Sequence, residues 1–190
     1  MPLPFETRMT HVHHMTCAAL LAALVGLWAC APAIVVHDGF DGPSLSDTWT
    51  TRKFLPGAIQ LQSEVVRAGS GAARITLRAG DQIASEVGSV YERAELEESR
   101  RLLASLDTTY DYAFSLFVPR EFPIVSTRLV LAQWKQRCLR EACSPDNPTL
   151  AIRYQDGVLF ITHQTGTERQ TLYRTDADIR QRWLDFRFRL

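Results

Sequence analysis

The sequence predicts an all-β protein, an antiparallel sandwich of short strands, from three observations. Apolar and polar residues alternate with a period of two in run after run, as they must where successive side chains leave a strand on opposite faces. Clusters of Asp, Gly, Pro and Ser separate these runs. One pair of runs is divided by Asp156-Gly157, the dipeptide of a tight hairpin. Many short strands joined by turns point to a jelly roll of the concanavalin-like type.

The elements follow in chain order. Residues 1–33 read as a signal peptide: Arg8 and the cluster His11, His13 and His14 precede the apolar run Ala18 to Ala29, and small residues follow. The run is too short for a comfortable membrane span. Leu27-Trp28-Ala29-Cys30 has the form of a lipoprotein box with Cys30 as the lipidated residue, although Trp28 is an awkward occupant. Residues 34–190 form one domain. Its opening, His37 to Trp49, is rich in turn formers. Strands are expected at Ala73 to Arg78, Tyr112 to Val118, Thr149 to Tyr154, Val158 to Gln164 and Trp183 to Leu190. Glu95 to Leu106 is ambiguous, because its charges and leucines also suit a helix. The last run ends the chain without a turn or polar tail, which reads as a domain whose C-terminal strands are missing.

Composition narrows the function classes. A chain of 190 residues with 46% hydrophobic and 22% charged residues is a soluble globular protein. Its 21 basic and 21 acidic residues give no nucleic-acid signature. From Arg128 to Leu190 there are 11 Arg or Lys against 7 Asp or Glu, an excess that suits either a polyanion or a solvated arginine-rich surface. The leader implies export to an oxidising place, periplasmic, outer-membrane-anchored or extracellular. Any membrane contact runs through a lipid anchor, and the chain is expected to be a monomer. Cys138 and Cys143, five apart in a polar loop, then read as a local disulfide. No metal is assigned. Asp38 and Asp41 suit calcium or turn formation equally, and His37 and His163 are the only histidines after the leader.

Two segments carry the candidate chemistry. In Tyr91 to Glu97, read as a strand, Tyr91, Arg93, Glu95 and Glu97 share a face, while Ala94 and Leu96 share the other. In Leu129 to Lys135, Gln133 and Lys135 follow Leu129 and Leu131 along one face, with Trp134 opposite. Lys53 and Lys135 are the only lysines of a chain that otherwise uses arginine. A partly desolvated lysine can lose its proton and act as a base, whereas arginine stays protonated. The bland alternative is a lysine that ends its strand and points to solvent.

These segments, taken in order, resemble the exported polysaccharide lyases of the heparin-lyase and glucuronan-lyase type. The matching pieces are Gly39-Phe40-Asp41-Gly42 with Trp49, Arg78-Ala79-Gly80-Asp81, and Glu92-Arg93-Ala94-Glu95-Leu96. Phe114 to Pro119 with Phe122-Pro123, Leu131-Ala132-Gln133-Trp134-Lys135, Asn147 to Ala151 and Trp183 to Phe186 complete the set. The resemblance implies a jelly roll that cleaves a uronic-acid polymer by β-elimination, without a cofactor, with an acidic polysaccharide as its partner. Arg93, Glu95 and Gln133 match the family pattern, whereas Lys135 stands where some such lyases carry histidine. Arg93, Gln133 and Lys135 are the implied catalytic residues, with Tyr91 and Glu95 binding substrate. A catalytic tyrosine or lysine from later strands is expected beyond this chain. Three other readings compete: a non-catalytic carbohydrate-binding module or inactive lyase fragment, a glycoside hydrolase using Glu95 and Glu97, and a structural envelope protein.

Overall fold

A computed structural model describes residues 36–84, 88, 90–105, 107–136 and 148–190. The leader, Cys30, Cys138 and Cys143 lie outside the described residues. The chain is all-β, and among the described residues every strand pair is antiparallel. It divides into two compact units, Met1–Leu103 and Ala104–Leu190.

Among the described residues the first unit contains three strand pairs: β1 (Trp49–Thr50) with β6 (Glu97–Glu98), β2 (Ile59–Gln62) with β3 (Ala72–Ile75), and β4 (Gln82–Ala84) with β5 (Val90–Glu92). Side chains hold its turn-rich opening. Asp38 accepts hydrogen bonds from the Phe40 amide (2.8 Å), Ser46 Oγ (2.6 Å) and Trp49 Nε1 (2.8 Å), and Phe40 stacks on Trp49 at 5.9 Å. Asp41 accepts from the amide and hydroxyl of Ser70 and from the Gly71 amide. Gly71 is required there, since a Cβ would collide with the Phe40 carbonyl oxygen. Both carboxylates are thus engaged by protein donors in turn geometry, one of the two uses their sequence left open. The Glu95–Leu106 ambiguity resolves against an α-helix: among the described residues of that span only a 3₁₀ turn forms, at Arg100–Leu102.

The second unit has two layers. One is β7 (Asp111–Val118) paired with β12 (Arg182–Arg189) along eight register positions. The other is a four-stranded meander in the order β11-β10-β9-β8, with β8 Leu129–Trp134, β9 Leu150–Gln155, β10 Val158–Thr165 and β11 Glu168–Thr175. Asp156 and Gly157, both at positive φ, make the two-residue hairpin between β9 and β10.

Alternation along each strand supplies the facing apolar sides. Val118, Ile152, Tyr154, Leu159 and Ile179 are buried to 2% exposure or less, with Phe114, Leu116, Leu184, Phe186 and Phe188 packed around them. Trp134 joins the layers, its ring 5.0 Å from Phe188, 5.6 Å from Tyr112 and 6.1 Å from Phe114.

Candidate active site

Residues expected to act together fall in both units, and each group has its own geometry. In the first unit the expected strand Tyr91 to Glu97 is interrupted: β5 ends at Glu92, β6 begins at Glu97, and Arg93 to Leu96 is irregular chain between them. Its backbone is tied elsewhere, the Arg93 amide donating to the Asp81 carbonyl and the Glu95 amide to the Lys53 carbonyl, each at 3.0 Å. The side chains nevertheless meet. Arg93 lies over the Tyr91 ring at 5.3 Å, and its Nε is 3.5 Å from Glu95 Oε2. A cation held by a ring and a carboxylate is oriented before any ligand arrives. Glu97 is engaged too, accepting from Thr50 Oγ1 at 3.1 Å with Arg52 at 3.5 Å and Lys53 at 3.8 Å.

In the second unit a β-bulge changes the expected face. The β8–β9 register slips between Val130 and Ala132, so Leu129 pairs with Tyr154 while Gln133 pairs with Ala151. Leu129 therefore packs towards the core, and Gln133 lies on the opposite, outer face with Val130. This corrects the expectation that Leu129 and Gln133 share a face: the one extra residue, Leu131, inverts the alternation. Trp134 points inward as expected. Lys135 is exposed, one residue beyond β8, as in the strand-end reading.

The outer face of this sheet carries residues the sequence did not single out. Directly across the strands from Val130 lie Arg153, Phe160 and Arg174, and the next row is Gln133, Ala151, Thr162 and Thr171. Arg153 Nε donates to Thr162 Oγ1 at 3.1 Å. Burial, followed by the nearby charges of Arg128 and Arg169, pushes the Arg153 guanidinium below its ordinary value. A shallow pocket of about 380 Å³ opens at the β9–β10 hairpin end of this face, with Phe160, Thr171 and Arg174 in its lining. The signal for Arg153 was available, since it interrupts the apolar run Leu150-Ala151-Ile152. Strand β11 has no apolar stripe and left no comparable mark.

The face combines amide, hydroxyl, aromatic and cationic side chains, with Ala151, Arg153 and Thr162 buried within it. The profile of the polysaccharide lyase family matches residues 40–190, most of the chain. The chain belongs to the polysaccharide lyase family. Neither the curated proteins nor the solved structures searched contain a match to it. Membership assigns this polysaccharide lyase to the cleavage of polysaccharides in general and fits the all-β architecture.

Proposed function

We propose that this protein cleaves a uronic-acid polysaccharide by β-elimination, as an exported monomer of the heparin-lyase and glucuronan-lyase type. The observation that carries the reading is the cation- and amide-bearing outer face of β8–β11 in a lyase-family chain. Elimination removes the proton at C5 of a uronic acid. The electron pair of that C–H bond forms the C4=C5 double bond, the bond from C4 to the linking oxygen breaks, and that oxygen takes up a proton. The C5 proton is weakly acidic while the adjacent carboxylate keeps its charge, so the site must neutralise the carboxylate and stabilise the charge that builds on it.

Gln133 donates an amide hydrogen bond to that carboxylate, and the exposed Lys135 ammonium supplies the neutralising charge. Arg93, already oriented by Glu95 and Tyr91, is a further carboxylate partner in its own unit. Tyr91, exposed and bearing a hydroxyl, serves as acid or stacking platform. The glycoside-hydrolase reading is disfavoured because both required carboxylates are held by cations, Glu95 by Arg93 and Glu97 by Arg52 and Lys53.

The test is incubation with glucuronan, heparin and other uronic polymers, followed by ultraviolet absorbance of the unsaturated product. Product formation supports elimination. Saturable binding without product would make the protein a carbohydrate-binding module.

A further inference from the structure

We propose that Arg153 is the seat of an oxyanion carried by a sugar unit, and that Phe160 is the surface on which that sugar rests. The inference deepens the proposed function, because it rests on an acidic polysaccharide as ligand and names the residue that reads the acid.

Strand β9 is buried from Leu150 to Tyr154, and Arg153 is its one charged side chain, at 3% exposure. A guanidinium so placed ordinarily meets a carboxylate, since burial without a counter-charge is costly. Among the described residues none pairs with it: its hydrogen-bond partner is the neutral hydroxyl of Thr162. The charges that act on it are also positive, from Arg128 and Arg169. An anion would relieve that repulsion. With Nε committed to Thr162, the two terminal nitrogens remain, and their spacing suits the paired oxygens of a carboxylate or a sulfate ester.

The neighbouring surface fits a sugar. Phe160 stands directly opposite Arg153 in register and lines the 380 Å³ pocket with Thr171 and Arg174, a volume in the range of small-ligand sites. An aromatic side chain beside hydroxyl and guanidinium donors matches the apolar face and polar rim of a pyranose. Arg153 is beside this lining, opposite Phe160, rather than in it, and Asp156, which is in it, repels an anion at the hairpin end.

Calorimetry of the full chain with three tetrasaccharides tests the assignment: oligoglucuronate, uncharged cellotetraose and sulfated cellotetraose. The wild type is expected to prefer oligoglucuronate to cellotetraose, and Arg153→Gln to lose that preference by about ten- to a hundredfold. Equal binding of the sulfated ligand assigns the seat to oxyanions generally, and its rejection assigns it to carboxylates. Equal wild-type affinity for charged and uncharged ligands, or an Arg153→Gln protein that keeps the preference, overturns the inference. Should Arg153→Gln fail to fold, Arg169→Gln on the exposed strand decides, a severalfold loss being expected and an unchanged affinity overturning it. Binding through Arg153 without unsaturated product would remove the elimination reading alone. Product formation with the preference unmoved in Arg153→Gln would remove this inference alone.

Discussion

Gln133 and Trp134 are consecutive in β8 and serve opposite faces of one sheet: Trp134 packs 5.0 Å from Phe188 between the layers, while Gln133 stands opposite Ala151 on the outer face. In the proposed function the pair separates stability from activity at adjacent positions.

Trp134→Ala removes ring contacts to Tyr112, Phe114 and Phe188 together. The expected loss is about 3–5 kcal/mol, the range for truncating a packed aromatic. Urea unfolding followed by circular dichroism measures it, and a loss below ~1 kcal/mol would mean that the layers are not joined at this ring.

Gln133→Ala is expected to cost less than about 1 kcal/mol of stability and to lower kcat/KM by about ten- to a hundredfold on a uronic polymer. If Lys135 neutralises the carboxylate, Lys135→Arg retains most activity and Lys135→Met loses it. A collapse in both variants would instead assign Lys135 the role of base, which arginine cannot fill.

Glu95→Gln tests orientation of Arg93. The pair is partly exposed, with side-chain exposures of 21% and 28%, so its worth to stability is under about 1 kcal/mol. Activity is nevertheless expected to fall, through KM more than kcat, because Arg93 keeps its charge but loses its orienting partner. Unchanged kinetics would show that the Tyr91 ring alone suffices to hold Arg93.

Acid stability should depend on Asp41. The Ser70 amide and hydroxyl hold its carboxyl below the ordinary range, opposed in part by desolvation and helped to a lesser degree by the Gly71 amide and the charge of His37. A carboxyl with a lowered folded value contributes stability above its unfolded value, about 3.9, and the contribution fades as pH falls through the folded value. Wild type should therefore lose melting temperature more steeply below about pH 4 than Asp41→Asn. Parallel curves would show that the loop at Ser70 and Gly71 does not depend on the carboxylate charge.

Gly157→Ala should cost about 1 kcal/mol, since this hairpin residue has φ of +82°. The added Cβ would meet Ile124 at 3.8 Å, an ordinary contact, so the cost lies in the backbone. Thermal unfolding reads it directly.

The sequence by itself determined the strands of the second unit except β11, because their alternation is strong: the inward side chains of β7 and β12 are those the period of two selects. It determined the β9–β10 hairpin through Asp156-Gly157, whose residues tolerate positive φ. It also determined family membership, which the order of weak motifs carried and the match over residues 40–190 establishes. Tertiary structure decided the rest. The bulge at Leu131 placed Gln133 with Arg153 and Thr162 rather than with Leu129, and a one-residue slip leaves no trace in composition or periodicity. The break between β5 and β6 was set by backbone bonds to Asp81 and Lys53, both distant in sequence. The cationic face arose from strand register, which brings Arg153, Phe160 and Arg174 from three strands into one row, a juxtaposition that only pairing between strands can make.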